Sequence, residues 1–320
     1  MTDFLYIKLE EDERRIKMQT APERLEPMQD LTVDDLTRAL IAERRLRVVN
    51  AIHSPNQFLV FLGPCALSDH RSIIEDDGAI IMDFEEKNEG ITTLYRLPPH
   101  KPRSQQDSWK GLETTDPDLT TDILLSMAAL YGNLAIEVVL KKHINRYKDI
   151  STVAWFGARS IDDIELLDAV ALEMPSILLP IKNGTDGRID KAMSNVERAN
   201  KLRADEDAPA ILVYRGGENA KTPDAWEQHY IDAHERTNGQ LLVDLAHGSE
   251  MAHDKDFTKS VEGQVMALNH LTQIVLKGYA PRGVMIEASN APRTVDPNMP
   301  LDLALQGTQN LLDAVVTKSI

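Results

Sequence analysis

Apolar residues along the chain gather into short unbroken runs, separated by longer stretches in which they recur every three or four positions. The runs are FLVFLGPC (Phe58 to Cys65), TTLYRLPP (Thr92 to Pro99), AIEVVL (Ala135 to Leu140), VAWFGAR (Val153 to Arg159), SILLPIKN (Ser176 to Asn183), AILVYRGG (Ala210 to Gly217), QLLVDLAH (Gln240 to His247) and RGVMIEAS (Arg282 to Ser289), eight in all. Near-continuous apolarity, rather than alternation, is what a strand buried on both faces of a parallel sheet requires.

The intervening stretches read as amphipathic helices. Ser160 to Met174 opens with Ser160 as the N-cap and early acids that complement the helix dipole. Arg188 to Ala204 and Thr222 to Asn238 follow the same pattern, with Thr222 and Pro223 as cap and first turn of the second, and Leu301 to Val316 forms the last helix. Strict strand–helix alternation, eight times over, calls for an α/β architecture, either a (β/α)8 barrel or a long open doubly wound sheet. Residues 1–57 precede the first run as an extension with one good helix, around Val33 to His53, suited to capping a barrel floor or to a subunit contact; residues 58–320 form the alternating unit.

Composition narrows the function classes. The length of 320 residues accommodates one barrel of about 250 residues with an extension, or two smaller domains. A 42% hydrophobic and 27% charged chain is ordinary for a globular protein, and no apolar run reaches the length of a membrane span. The N-terminal MTDFLYIKLEEDERRIK is too charged for a signal peptide, and a single cysteine permits no intrachain disulfide. The expected compartment is the cytoplasm. A net charge of −16, from 35 basic and 51 acidic residues, speaks against nucleic-acid and membrane-surface partners. It does not exclude an anionic substrate, because a binding site is local where net charge is an average.

The polar residues at the ends of the runs carry the chemistry. Cys65, Arg96, Glu137, Arg159, Lys182, Arg215, His247 and Glu287 each stand at or near the C-terminal end of one run. In a barrel those ends converge on one face, where active sites are built. Singly, each has a bland explanation as a buried hydrophobe, a satisfied core histidine or a solvated cation; together they imply a ligand, since clustered charges are costly to bury unpartnered. Arg96, Arg159, Lys182 and Arg215, with Lys101, Arg103 and Lys110 from the loop after the second run, form a cationic set suited to two phosphate or carboxylate groups. The glycines of Asn183 to Gly187 and of Gly216-Gly217 let backbone N–H groups approach an anion. Cys65, His247 and Glu287 supply a thiolate, an imidazole and a carboxylate, the ligand set of one divalent metal ion such as Mn, Fe, Co or Zn.

These residues fall within motifs that resemble the type I 3-deoxy-D-arabino-heptulosonate 7-phosphate (DAHP) synthase family. GPCA (63–66), KPRS (101–104) followed by WKG (109–111), GARS (157–160), KNGTDG (182–187), RGG (215–217), DLAH (244–247) and VMIE (284–287) come in the family's order. The resemblance implies a TIM barrel and an aldol-type condensation of phosphoenolpyruvate with erythrose 4-phosphate, the first step of the shikimate pathway to aromatic amino acids. It implies a homo-oligomer, dimer or tetramer. It assigns Cys65, His247 and Glu287 to the metal, with Asp302 as fourth ligand and Asp296 as the alternative. Arg96, Lys101, Lys110, Gly157, Ala158, Arg159, Lys182 and Arg215 would hold phosphoenolpyruvate, while Arg103 and Ser104 would hold the aldose phosphate. Glu137 would stand beside the reacting carbons, and Lys101 would deliver a proton to the new alkoxide.

The chain also departs from the family pattern. The segment between KNGTDG and RGG is short where feedback-regulated relatives carry an inserted hairpin, and the stretch before Glu137 is short as well. Ser68 stands where relatives usually have His, and Pro98-Pro99-His100 before KPRS is atypical. Two further readings therefore stand beside the first: a sibling enzyme that uses another aldose phosphate, and a non-catalytic metabolite-binding regulatory relative. The retention of nearly all the metal and cationic residues speaks against the second.

Overall fold

The computed structural model describes residues 31–100, 111–203, 208–220, 222–248, 261–291 and 298–319. Each of the eight apolar runs forms a strand: β1 (Phe58–Gly63), β2 (Ile91–Arg96), β3 (Leu134–Glu137), β4 (Val153–Trp155), β5 (Leu179–Lys182), β6 (Ala210–Tyr214), β7 (Leu241–Asp244) and β8 (Gly283–Glu287). All pairings are parallel, in the order β4-β3-β2-β1-β8-β7-β6-β5. Bridges between Val153 and Leu178 and between Phe156 and Ile181 join the two ends of that order, so the sheet closes into a (β/α)8 TIM barrel.

The helices in chain order are α1 (Asp35–His53), α2 (Arg71–Lys87), α3 (Leu112–Thr115), α4 (Pro117–Tyr131), α5 (Lys142–Tyr147), α6 (Ile164–Glu173), α7 (Asp190–Leu202), α8 (Pro223–Arg236), α9 (Leu245–Gly248), α10 (Val261–Leu276) and α11 (Leu301–Ser319). Thr222 caps α8 as its sequence suggests, accepting from the Ala225 N–H, with Pro223 in the first turn. The cap of α6 lies further on than Ser160. Residues 158–160 form a 3-10 turn, and Asp163 accepts from the Leu166 N–H at 2.9 Å.

Two apolar layers follow from the two-residue period of each strand. Phe58, Val60 and Leu62 of β1 face the helices, whereas Leu59 and Phe61 enter an interior cluster with Leu94, Ala135, Val153, Trp155, Leu178, Ile211, Val213, Leu242 and Met285. Alternate residues of the strands thus fill the barrel as a packed core rather than a pore. Val48, Ala51 and Ile52 of α1 belong to the same interior cluster, so α1 seals the barrel at its N-terminal end. Arg44 and Arg47 of α1 both pair with the buried Glu85 of α2, at 2.5 and 2.8 Å, and fix that seal laterally. Among the described residues, no helix is long and apolar enough to cross a membrane.

Candidate active site

The inward face of the strands does not stay apolar to its C-terminal end. Two positions beyond Leu94 is Arg96, beyond Ala135 is Glu137, beyond Val213 is Arg215, beyond Leu242 is Asp244 and beyond Met285 is Glu287; Lys182 lies four beyond Leu178. The same period that packs the barrel therefore raises a layer of charges above it. All six are buried. Trp155 marks the boundary: it belongs to the interior cluster, and the Arg96 guanidinium and the Lys182 ammonium lie 5.5 and 5.8 Å from its ring centroid.

The charges are tightly matched. Arg96 Nη2 donates to Glu287 Oε1 at 3.1 Å, and Lys182 Nζ donates to Asp244 Oδ2 at 2.7 Å. Burial opposes the charge on Arg96, yet Glu287, Asp244 and Cys65 together hold its pKa above the ordinary arginine value. For Lys182 burial prevails and lowers the pKa, although Asp244 pulls it upward. Arg96 Nη1 is buried and has no hydrogen-bond partner among the described residues. A buried donor left in that state marks a place for an acceptor.

Neighbouring loops complete the face. Asn183 accepts from the Arg215 N–H at 2.8 Å and donates to the Gly216 carbonyl at 3.0 Å, which ties the loop after β5 to the loop after β6. Glu137 lies so close to Gly157 that a Cβ at that position would stand 2.1 Å from its Oε1. Arg159 is exposed and, with Ala158, Gly184, Thr185, Asp186 and Arg188, lines a cleft of about 790 Å³ at this end of the barrel. Arg96, Glu137, Lys182 and Arg215 are thus brought together with Gly157, while Ala158 and Arg159 stand at the cleft beside them.

Cys65 is buried just beyond β1, and its backbone N–H donates to Asn298 Oδ1 at 2.9 Å. Gly63 pairs with Glu287 across β1 and β8, so the thiol and the carboxylate lie on adjacent strand ends, with Arg96 sensing both. The turn after Glu287 is pinned from α2: the buried Asp77 accepts from Ser289 Oγ at 2.5 Å and from the Asn290 N–H at 3.0 Å. Burial raises the Asp77 pKa despite these bonds. His247 sits in α9, directly after β7, and its side chain lies outside the described set, as do Lys101, Arg103, Ser104, Lys110 and Asp296. Asp302 is exposed on the first turn of α11 and does not join Cys65 and Glu287 in a ligand-sized group.

Sequence reasoning did not single out Asp244, Trp155 or Asn298. Asp244 was accessible to it, since an acid two positions beyond an inward leucine occupies the same face. Among the described residues, one group of histidine and carboxylate side chains brings its donor atoms within 4.8 Å of one another: His100, Glu113 and His143.

Residues 47–317 match the model of a protein family described as the DAHP synthetase I family. The structure resembles that of phospho-2-dehydro-3-deoxyheptonate aldolase from Francisella tularensis SCHU S4, with a TM-score of 0.73 and 18% identity over 91% of this chain and 95% of that one. At that identity the likeness establishes the barrel and no more. No curated protein matches the chain.

Proposed function

The chain belongs to the DAHP synthetase I family and is a phosphoenolpyruvate-dependent aldolase of that class; on that premise we propose that it condenses phosphoenolpyruvate with erythrose 4-phosphate to give 3-deoxy-D-arabino-heptulosonate 7-phosphate and phosphate. The observation that carries this reading is the pair of buried cations, Arg96 and Lys182, set against Trp155 with Arg96 Nη1 still open to an acceptor. A small dianionic or trianionic substrate satisfies that arrangement.

Phosphoenolpyruvate would be held through its phosphate and carboxylate by Arg96, Arg159, Lys182 and Arg215, with the backbone at Gly157 and Ala158 and with Lys101 and Lys110. Arg103 and Ser104 would take the phosphate of the aldose. Clamping both substrates turns a two-body encounter into a local reaction. C3 of phosphoenolpyruvate then attacks C1 of the aldehyde, and the new alkoxide takes a proton from Lys101. Cationic character at C2 draws in a water molecule, whose proton passes to Glu137. Phosphate leaves from the resulting hemiketal by C–O cleavage.

A divalent ion fits the donor chemistry of Cys65, His247 and Glu287. The thiol and the carboxylate sit on adjacent strand ends, with the Arg96 guanidinium close enough to respond to both. When bound, such an ion would act as a Lewis acid on the aldehyde oxygen.

The test is an assay of phosphoenolpyruvate with a panel of aldose phosphates, following phosphate release and product mass, before and after chelation. The C7 product from erythrose 4-phosphate, lost on chelation and restored by Mn, Fe, Co or Zn, is the expected result. Turnover of a different aldose phosphate alone would move the assignment to the sibling reaction. Phosphate release that survives complete metal removal would remove the metal from it.

A further inference from the structure

Outside the charged layer, the structure contains a second concentration of ligating side chains. His100 follows β2, Glu113 lies in α3 and His143 lies in α5, three elements with no sequence periodicity in common. Glu113 and His143 are buried, and His100 is nearly so. Glu113 Oε2 stands 3.0 Å from His143 Nε2 and 3.7 Å from His100 Nδ1. Three ligands of a tetrahedral ion at about 2.0–2.1 Å are separated by roughly 3.3 Å, which these two distances bracket. The two imidazole rings meet edge to face, with centroids 5.2 Å apart.

The hydrogen bonding of the cluster is lopsided. Glu113 Oε1 receives the Tyr147 hydroxyl and pairs with Arg146 Nε at 3.0 Å, so that oxygen is fully engaged. On the other side, Glu113 Oε2 faces His143 Nε2 and, further off, His100 Nδ1, while His100 Nδ1 and His143 Nδ1 are buried with no hydrogen-bond partner among the described residues. Each such atom costs about 1–3 kcal/mol when left unsatisfied. One carboxylate oxygen oriented by outer partners, with the other turned towards two imidazoles, is the pattern of a metal ligand and its supports.

We propose that His100 Nδ1, Glu113 Oε2 and His143 Nε2 form a second metal site, for Zn2+, distinct from the Cys65 site. Two nitrogens and one carboxylate oxygen suit Zn2+ and do not suit Mg2+ or Ca2+, which take oxygen ligands. A water molecule would complete the coordination, on the side where His100 is partly exposed.

The location gives the site its consequence. Glu113 N–H donates to the Pro99 carbonyl at 3.2 Å, and Gly111, at φ +113°, lets its Cα lie against that carbonyl, where a Cβ would approach to 2.3 Å. The backbone thus brings residues 99 and 111–113 together, and His100 is the immediate neighbour of Lys101. A zinc ion held by His100 and Glu113 would staple these two points to α5.

The experiment is a Co2+ titration of the chelator-stripped full chain, read by absorption and by metal content, on wild type and His100→Ala. Wild type should bind two equivalents, one with a thiolate charge-transfer band and one with ligand-field bands alone, both displaced by Zn2+. His100→Ala should retain the thiolate-bound equivalent and weaken the other by more than about 100-fold, since outer partners alone are worth 10- to 100-fold. One equivalent in wild type, all of it thiolate-bound, would overturn the second site, as would two unaltered equivalents in His100→Ala. Loss of the thiolate band alone would refute the Cys65 site and leave this one standing. If His100→Ala does not fold by circular dichroism, the wild-type count of thiolate-free cobalt decides the matter.

Discussion

The ammonium of Lys182 donates to the carboxylate of Asp244 at 2.7 Å, and the two are buried together at the ends of β5 and β7. Burial lowers the Lys182 pKa from its ordinary 10.5, while Asp244 raises it. Since the charged form is the one that clamps an anion, the KM for phosphoenolpyruvate should climb with pH before 10.5 is reached. In Asp244→Asn the raising partner is gone, so the climb should begin at lower pH. For stability the sign is the reverse of that for an exposed lysine pair. The folded chain binds this proton less tightly than the unfolded chain does, so the charge on Lys182 opposes folding at low pH, and that penalty is relieved as pH rises through the lowered pKa towards 10.5. A KM profile that does not move between wild type and Asp244→Asn would show that Lys182 is not the titrating group.

Arg96 serves two acceptors at once, with Nη2 on Glu287 at 3.1 Å and Nη1 open to a ligand. A lysine can supply the charge but not both directions. Arg96→Lys should lower kcat/KM for phosphoenolpyruvate roughly 10- to 150-fold, the worth of one charge-assisted bond of about 1.5–3 kcal/mol. The aldose KM should change little. Equal changes in both would mean that Arg96 does not belong to the phosphoenolpyruvate clamp.

Gly157 is needed for space rather than for backbone freedom, because its Cα lies against Glu137 Oε1. Gly157→Ala should displace the Glu137 carboxylate at a stability cost of about 1–3 kcal/mol, as overpacking does. The kcat should fall about 100-fold, the lower range for a misplaced acid–base group. Denaturation and single-turnover phosphate release on the same sample separate the two effects. Full activity at reduced stability would remove Glu137 from the water-addition step.

The barrel was legible because parallel strands buried on both faces leave unbroken apolar runs, and each of the eight lies on an observed strand. Much of the charged layer was legible for a related reason: Arg96, Glu137, Lys182 and Glu287 end their strands and Arg215 directly follows one. Asp244 was passed over in favour of His247, although it is Asp244 that continues the inward face from Leu242 and pairs with Lys182. The N-cap of α6 was misplaced because Ser160 is spent in the turn that carries Arg159, leaving Asp163 to cap. As a group, His100, Glu113 and His143 could not be read from the sequence, although His100 falls in the atypical stretch before KPRS. They approach from three elements outside the strand ends, and neither spacing nor period links them.

The seal formed by α1 offers a prediction about the barrel itself. Ile52 is fully enclosed and packs in the interior cluster with Leu59, Phe61 and other inward strand residues, at the end opposite the charged layer. Ile52→Ala removes three buried carbons from a place where the surrounding strands, fixed by their hydrogen bonds, cannot collapse. The cost should be about 2–5 kcal/mol, read as a lower denaturant midpoint with the slope unchanged. Because the layers between Ile52 and Arg96 are closely packed, the kinetic constants of the protein that remains folded should stay near those of wild type. A loss below about 1 kcal/mol would show that α1 lies on the barrel without filling it, since large-to-small changes in a rigid core do not cost so little.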